Sequence, residues 1–364
     1  MRISETMQAM VLTGHGGIEM LEWHEDWPVP TPGPGQALVR VGACGLNNTD
    51  VNTRSGWYSK QVSEATTGDA HDSVDPDDPT WGGAPLSFPR IQGADVVGRV
   101  AALGEGADAA LMGRRVMVDC WLRDWDDPLN RDKTGFFGSE CDGGFAQYTV
   151  ADQRNLAPVE STLSDAELAS FPCAYITAEG MLTRAKVGPE DRVLVTGASG
   201  GVGGALVQLA KLRGATVIAM ASAAKHEAVA QLGADALLDR APEDLGAALH
   251  AAIGTDTVTV VADIAGGDNF GRLIDRLARG GRYTCSGAIA GPIVDLDLRT
   301  LYLRDLTFTG STVVPPEVFP AVLRHIESGA LRPSLAATYP LRELHRAQQA
   351  FIDKMHTGNI VVTP

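Results

Sequence analysis

The sequence is poor in three features, each of which would imply a particular class of protein. No stretch approaches the roughly 18 consecutive apolar residues of a membrane-spanning helix, and the first ten residues lack the apolar core of a secretory signal. Positive charge is in deficit, with 30 Lys and Arg against 45 Asp and Glu, which argues against a nucleic-acid or anionic membrane partner. The five cysteines are odd in number and widely spaced, unlike a disulfide framework. We therefore expect a cytoplasmic protein whose partner is a small molecule.

The patterns that are present predict two domains in a chain of 364 residues. In the first part of the chain, short apolar alternations such as 37–41 are separated by Gly, Pro and Asp turns, which is typical of a β-rich domain. Residues 64–83 are acidic and contain Gly and Pro, as expected for an inserted surface loop. A helix is predicted over 163–182, and from residue 192 onward strands alternate with helices, which indicates a doubly wound parallel sheet. The apolar stretch 359–363 could rejoin the first domain as a strand.

The strongest single motif is the segment 193–204, which reads VLVTGASGGVGG. An apolar strand leads into a glycine-rich loop, and a helix follows the loop, which is the context that a dinucleotide-binding motif requires. Glycine lets the backbone approach a pyrophosphate closely, and the helix N-terminus offers free N–H donors. The residues that we expect to contact the cofactor are Gly197, Ala198, Ser199, Gly200, Gly201, Val202 and Gly203. Ala198 stands where the usual pattern has glycine, and the alternative is an ordinary glycine-rich turn.

The end of the second strand of this unit indicates which dinucleotide is bound. NAD enzymes usually place Asp or Glu there to bind the ribose, whereas the segment 220–226 contains no carboxylate. Ser222 and Lys225 suit a 2′-phosphate, and Arg240, after the next strand, could add a second cation. We therefore predict NADP(H) rather than NAD(H) as the cofactor. The alternative for Lys225 is a solvated lysine at the start of a helix.

Motifs spread over nearly the whole chain give it a family resemblance. They are GACGLNNTD (42–50), RSGWY (54–58), GAD (93–95), DGGFAQY (142–148), CAYITA (173–178), the nucleotide loop, LGAD (232–235) and GNIV (358–361). With these motifs the chain resembles the medium-chain dehydrogenase/reductase superfamily, and within it the zinc-free quinone oxidoreductase-like branch. The resemblance implies an α/β protein with two domains. A GroES-like β-rich domain would comprise residues 1–163 and 317–364, and a Rossmann domain residues 164–316.

The same resemblance predicts that the chain has no zinc site. Zinc alcohol dehydrogenases of this superfamily bind the catalytic metal with a Cys, a His and a second Cys, and these positions fall on Asn47, Ala94 and Cys173. One thiolate cannot hold a catalytic zinc, which needs about three protein ligands. The structural zinc lobe of those enzymes has four closely spaced cysteines, where this chain has only Cys120 and Cys141. Cys173 is therefore interpreted as a small buried apolar residue.

Without a Lewis acid, alcohol oxidation is disfavoured, whereas reduction of an activated C=C bond or a quinone stays feasible. The resemblance places Asn47 and Tyr58 in the substrate cleft, where either could donate a hydrogen bond to the developing enolate oxygen. Asp50 could orient Asn47 or a ribose hydroxyl, and Thr177 could contact the nicotinamide or the pyrophosphate. The alternatives are a half-buried loop aromatic for Tyr58, a turn cap for Asp50 and a helix N-cap for Thr177.

The leading hypothesis is thus an NADPH-dependent enone or quinone reductase. One rival is an alcohol dehydrogenase on the same scaffold, and another is an NADP-binding sensor or structural homologue without turnover. We expect the acidic insertion and the loop near Trp121 and Trp125 to wall part of the substrate pocket. Relatives of this size often dimerise through the last strand of the Rossmann sheet, and residues 304–312 have the alternating apolar pattern of such an edge. The resemblance therefore predicts a homodimer.

Overall fold

The computed structural model describes residues 3–71, 74–75 and 77–364, so residues 72, 73 and 76 of the acidic insertion lie outside it. Its strands are β1 (Thr6–Leu12), β2 (Leu21–Pro28), β3 (Gln36–Gly45), β4 (Asp95–Leu103), β5 (Arg115–Val118), β6 (Trp121–Arg123), β7 (Thr134–Phe136), β8 (Tyr148–Asp152), β9 (Leu156–Pro158), β10 (Arg192–Val195), β11 (Thr216–Ala221), β12 (Ala236–Asp239), β13 (Val258–Asp263), β14 (Leu277–Cys285), β15 (Thr307–Gly310), β16 (Leu335–Pro340) and β17 (Asn359–Thr363). Its helices are α1 (Asn48–Ser55), α2 (Asp165–Leu168), α3 (Pro172–Arg184), α4 (Gly201–Leu212), α5 (His226–Ala230), α6 (Leu245–Ile253), α7 (Phe270–Ile274), α8 (Leu298–Leu303), α9 (Val318–Glu327) and α10 (Leu344–Ile352).

Strands from both ends of the chain form one sheet. Its order is β16-β17-β3-β4-β5-β9, and β8 pairs with β3 outside this path. β17 pairs antiparallel with β3, so that Val361 lies opposite Gly45 and Val362 opposite Cys44. The paired residues of both strands are buried, which explains why the C-terminal strand returns to the first part of the chain.

The second sheet is parallel and has the order β12-β11-β10-β13-β14-β15. The chain moves outward from β10 to β12 and then crosses back to β13 on the other side of β10. The loops that follow β10 and β13 therefore run in opposite directions and leave a crevice between them, where open α/β sheets bind ligands. The predicted α/β fold class, with a doubly wound sheet beside a GroES-like β-rich part, is confirmed.

One prediction about the helices is wrong. The single helix expected over 163–182 is two helices, because α2 ends at Leu168 and Pro172 opens α3 at its first position. A proline is accommodated there since the first N–H groups of a helix have no partner within it. Thr177 consequently lies inside α3, whose N-cap is Phe171, so the interpretation of Thr177 as an N-cap is wrong.

Two further features concern possible partners of the chain. Among the described residues, no helix has both the length and the apolar character needed to cross a bilayer. β15 is the outermost strand of the parallel sheet, on the side opposite β12. The segment predicted to pair two copies of the chain therefore stands at a sheet edge.

Candidate active site

The glycine-rich loop between β10 and α4 is shaped for a close approach of backbone and ligand. Gly197 has a φ of 57°, in the left-handed region that favours glycine. A Cβ at Gly203 would overlap the carbonyl oxygen of Gly197, so only glycine lets the first turn of α4 pack against the loop. α4 begins at Gly201 with no side-chain cap at Gly200, which leaves its first N–H groups available to an anion.

The C-terminal segment crosses this loop. The Gly358 N–H donates to the Ser199 carbonyl at 2.8 Å, and Gly358 forms an isolated bridge with Gly200. Ala198 is fully buried, and its N–H donates to the Met220 carbonyl at the end of β11. Ala198 therefore fixes the loop to the neighbouring strand, and the loop residues that remain accessible are those around it.

A cavity of about 480 Å³ opens between the two sheets and ends at this loop. It brings together five of the residues predicted to contact substrate or cofactor, which are Asn47, Tyr58, Thr177, Gly201 and Val202. None of the residues that line this cavity, within the described part of the chain, carries a charged side chain. The cavity therefore suits a neutral reacting group placed close to the nucleotide loop.

Asn47 is held from two sides by buried carboxylates. The Asp50 carboxylate accepts the Asn47 backbone N–H at 2.8 Å, and the Asp95 carboxylate accepts one amide hydrogen of Asn47 at 2.9 Å. The other oxygen of Asp95 accepts the Cys173 N–H at 2.8 Å. Asp50 does not line the cavity but lies behind Asn47 at the start of α1. This place fits two of the roles considered for Asp50, orienting Asn47 and capping the helix, and its role in the reaction stays a prediction.

Burial changes the proton affinity of these groups. Desolvation raises the pKa of both Asp50 and Asp95 to about 7, against the hydrogen bonds that each carboxylate accepts. Desolvation also holds the pKa of the Tyr58 hydroxyl well above its usual value, although the residue as a whole is 39% exposed. The Tyr58 hydroxyl, which lies beside Asn52, therefore keeps its proton at neutral pH and can donate it in a hydrogen bond.

Five aromatic side chains line one end of the cavity and contact one another in series. We call Trp57, Tyr58, Trp81, Trp121 and Phe136 the aromatic wall. The ring centroids of Trp57 and Tyr58 are 5.6 Å apart, those of Tyr58 and Trp81 are 5.3 Å apart, and those of Trp121 and Phe136 are 5.1 Å apart. Each pair has an edge-to-face arrangement. The expectation that the acidic insertion and the Trp121 loop both contribute fits this placement, whereas Trp125 lies outside the cavity.

The acidic insertion reaches across the cavity to the parallel sheet. The Thr66 N–H donates to the Ile289 carbonyl at 3.0 Å, and both residues line the cavity. The chain on either side is anchored to the first sheet's side of the cleft, since Trp57 donates to the Glu64 carbonyl and Arg54 to the Gly68 carbonyl. The insertion thus closes one side of the site.

The residues proposed for the 2′-phosphate lie at the carboxyl edge of the parallel sheet. Ala221 and Asp239 are partners in neighbouring strands, so Ser222 and Arg240 follow at the same edge. The Lys225 ammonium donates to the carbonyls of Lys354 and His356 at 2.6 and 2.7 Å. Lys225 is therefore tied to the C-terminal segment, in addition to standing at a helix start.

Sequence reasoning missed two kinds of polar group in this site. Lys354 donates to the side chain of Asn48, which lines the cavity. Desolvation lowers the pKa of the Lys354 ammonium to about 8. Three cavity-lining hydroxyls, on Thr49, Thr66 and Ser311, are buried without a hydrogen-bond partner among the described residues. Lys354 stands four residues before the GNIV motif, which was the available signal, whereas the unpartnered hydroxyls follow only from the folded geometry.

The positions of the zinc ligands do not converge into a metal site. Ala94 is buried and has no donor atom, and the amide nitrogen of Asn47 is engaged by Asp95. Cys173 lies at the cavity, with Cys120 close behind it. Throughout the described ranges, no group of three or more His, Cys, Asp or Glu side chains is arranged to hold a metal ion.

Comparisons with known proteins agree with this architecture. Two family models match, the alcohol dehydrogenase GroES-like domain over residues 33–161 and the zinc-binding dehydrogenase over residues 201–328. Quinone oxidoreductase of Rattus norvegicus is 26% identical over 97% of this chain and 95% of its own. The structure of a putative alcohol dehydrogenase from Sinorhizobium meliloti 1021 is 44% identical, has a TM-score of 0.91 and covers 100% of this chain and 98% of its own.

A third relative was solved with a dinucleotide. Crotonyl-CoA carboxylase/reductase AntE in complex with NADP is 25% identical, with a TM-score of 0.85, and covers 100% of this chain and 95% of its own. These relatives are oxidoreductases by name, and they match almost the full length of the chain. The chain therefore belongs to the medium-chain dehydrogenase/reductase superfamily and is an oxidoreductase.

Proposed function

We propose that this chain is a reductase that uses NADPH to reduce an activated C=C bond or a quinone without a catalytic metal. The observation that carries the proposal is the donor set at the positions where zinc enzymes of the superfamily bind their metal. Asn47 gives an amide hydrogen to Asp95, Ala94 has no donor atom, and only Cys173 offers a sulfur. This set does not fit a catalytic zinc, which needs about three ligands, and we assign no step to a metal.

NADPH is the dinucleotide that the polar groups around the loop favour. No carboxylate follows β11 to bind a free ribose hydroxyl, whereas Ser222, Lys225 and Arg240 stand at that edge. Lys225 now donates to two neutral carbonyls, and a phosphate would offer it a stronger, charge-assisted hydrogen bond. We further propose that Lys354, which donates to Asn48 near the cavity, neutralises the pyrophosphate.

The residues of the cavity suit reduction of a polarised double bond. When bound, NADPH supplies a hydride to the electrophilic carbon that is conjugated to the substrate carbonyl. Tyr58, protonated at neutral pH, would donate a hydrogen bond to the developing enolate oxygen, and the unpartnered Thr49 hydroxyl is a second donor. A proton then adds to the carbon next to the carbonyl and completes the saturated ketone. This proton comes either from Tyr58, which is reprotonated by water, or from water directly. Asn47, fixed by Asp50 and Asp95, orients the substrate or the nicotinamide amide.

The experiment that tests this function is turnover of metal-stripped protein. NADPH or NADH is added with 1,4-benzoquinone or pent-3-en-2-one, and the nicotinamide absorbance is followed. We expect oxidation of NADPH that survives metal removal and exceeds oxidation of NADH at least tenfold. A mock-stripped sample with the same buffer history is the control for loss of folded protein.

The two rival functions predict different outcomes of the same experiment. Silence with both cofactors that is reversed by added zinc would identify an alcohol dehydrogenase and overturn the assignment of Asn47 and Ala94. NADPH binding by calorimetry without turnover of any enone, quinone or alcohol would identify a dinucleotide sensor.

A further inference from the structure

One end of the cavity is an aromatic pocket assembled from three separate segments of the chain. Trp81 comes from the acidic insertion, and it contacts Trp121 on β6 and Phe136 on β7, with centroids 5.9 Å apart in each pair. Tyr58 contacts Trp81 from the other side at 5.3 Å. Trp81 is thus the ring that joins the α1 side of the aromatic wall to the β6–β7 side.

A half-buried carboxylate fixes this junction. One oxygen of Glu140 accepts the Gly82 N–H at 2.7 Å, next to Trp81, and the other accepts the Phe136 N–H at 2.6 Å. The acidic insertion and β7 are therefore held together by the side chain of Glu140, which sets the distance between Trp81 and Phe136. Such preorganised rings offer a large apolar contact at small entropic cost.

Charge and volume restrict what this pocket accepts. None of the described residues lining the cavity is charged, and residues 61–89 contain six carboxylates but no Lys or Arg. A coenzyme A thioester carries several phosphate charges, which this acidic segment would repel. The cavity of about 480 Å³ must also hold the nicotinamide, which leaves room for a small flat molecule only.

We propose, on the basis of the proposed reductase function, that the substrate is an uncharged enone or quinone that carries an aromatic ring. The ring lies against the aromatic wall, and Trp81 is the residue that selects for it. Coenzyme A thioesters, the substrates suggested by the likeness to crotonyl-CoA carboxylase/reductase, are excluded by the acidic insertion.

The test compares two enones that share the reacting group. In 4-phenylbut-3-en-2-one a phenyl group replaces the terminal methyl group of pent-3-en-2-one. With NADPH, we expect kcat/KM to be at least tenfold higher for the phenyl compound, and crotonyl-CoA to be reduced at least a hundredfold more slowly than the phenyl compound. Equal kcat/KM for the two enones, or efficient reduction of crotonyl-CoA, would overturn the proposal while leaving the reductase function in place.

Two substitutions connect the preference to Trp81. Trp81→Leu should lower kcat/KM for the phenyl enone at least tenfold more than for the methyl enone, and Trp81→Phe should restore most of the preference. Trp125→Leu is the matched control, because Trp125 lies outside the cavity between the guanidinium groups of Arg123 and Arg154. A preference that survives in Trp81→Leu, or that falls equally in Trp125→Leu, would contradict the role of Trp81.

A binding measurement separates this proposal from the proposed function. Calorimetry with 4-phenylbutan-2-one, the saturated ketone, requires no turnover, and we expect binding to the wild-type protein that weakens at least tenfold in Trp81→Leu. Such binding in a protein that reduces no enone would refute the reductase function and retain the aromatic pocket. Absence of binding together with reduction of pent-3-en-2-one would refute the pocket and retain the reductase.

Discussion

Asn47, which the family resemblance aligns with a zinc ligand, is held between two buried carboxylates. Asp95 spans Asn47 and the Cys173 N–H, so one side chain positions residues from α1 and α3. Its burial is tolerated because each of its oxygens accepts a hydrogen bond. The energetic cost appears instead as a raised pKa, and this has a measurable consequence for stability.

The free energy of unfolding should fall as the pH rises from about 4 to about 7. In the unfolded chain Asp95 ionises with a pKa near 3.8, whereas in the folded protein its pKa is about 7, so between these values the native state holds a proton that the unfolded state has lost. Each unit by which the pKa of Asp95 is raised corresponds to about 1.4 kcal/mol of this pH-dependent change. In Asp95→Asn the fall in the free energy of unfolding over this pH range should therefore be smaller, by about a few kcal/mol at most. Urea unfolding at a series of pH values measures both slopes. Asp95→Asn also loses a hydrogen-bond acceptor, which shifts the whole curve by about 1–3 kcal/mol, so parallel curves would contradict the prediction.

Lys225 and Lys354 should have separable effects on the cofactor. Lys225→Met is expected to raise the Kd for NADPH about tenfold, in line with a charge-assisted hydrogen bond, and to leave that for NADH within a factor of two. Lys354→Met should weaken both cofactors, because the pyrophosphate is common to them. Since the pKa of Lys354 is about 8, the affinity of the wild type for both should decline as the pH rises through that value, and Lys354→Met should abolish the decline. Calorimetric titration with each cofactor at pH 7 and pH 9 measures these Kd values. If Lys354→Met weakened the binding of NADPH alone, Lys354 rather than Lys225 would be the residue that binds the 2′-phosphate.

At the scale of elements, two glycines of the nucleotide-binding motif, Gly200 in the loop before α4 and Gly203 in the first turn of α4, should have different effects when substituted. Gly203→Ala places a methyl group against the Gly197 carbonyl, so it should lower the melting temperature and the NADPH affinity together. Gly200→Ala meets only the Gly197 oxygen, at 3.6 Å, and should leave the melting temperature nearly unchanged. Its methyl group would still face the approaching phosphates, so we expect a rise in Kd of tenfold or more. Differential scanning fluorimetry and calorimetry measure the two effects, and an unchanged Kd in Gly200→Ala would place the pyrophosphate elsewhere.

The acidic insertion shows where reading the sequence reached its limit. Its acidity and its glycines predict a surface loop, but not the hydrogen bond from Thr66 to Ile289 that carries it across the cavity. Likewise, Glu140 is an ordinary charged residue in the sequence, and only the fold reveals that it clamps Gly82 to Phe136. Both links join segments that are far apart in the chain, and local sequence patterns do not predict contacts between such segments.

At the scale of the whole molecule, the reading of the sequence succeeded where periodicity and glycine spacing are strong. The alternation after residue 192 predicts the parallel sheet, and 359–363 pairs with β3 as expected. It failed where a proline divides one apolar stretch into α2 and α3, which moved Thr177 from a helix start into a helix interior. The domain boundaries at 163/164 and 316/317, and the roles of the site residues, stay predictions.

The predicted homodimer would form at the edge strand β15, and the exposed residues near this strand indicate which surface it would bury. Between residues 293 and 303, just before β15, several large apolar side chains are exposed, among them Ile293 (72%), Leu298 (64%), Tyr302 (61%) and Leu303 (56%). An exposed apolar cluster beside an open sheet edge is a liability in a monomer and a normal feature of a dimer surface. We therefore expect light scattering to give the mass of two chains, and the double substitution Leu298→Asp with Leu303→Asp to give that of one.

The matched control for the dimer is Leu129→Asp, since Leu129 is as exposed, at 68%, but lies far along the chain from β15. It should leave the mass unchanged, because introducing a charge on a solvated surface has little effect unless a partner must bury it. A wild-type protein that elutes as a single chain at micromolar concentration would end the dimer prediction. Dissociation by Leu129→Asp but not by the double substitution would instead locate the interface at the loop between β6 and β7.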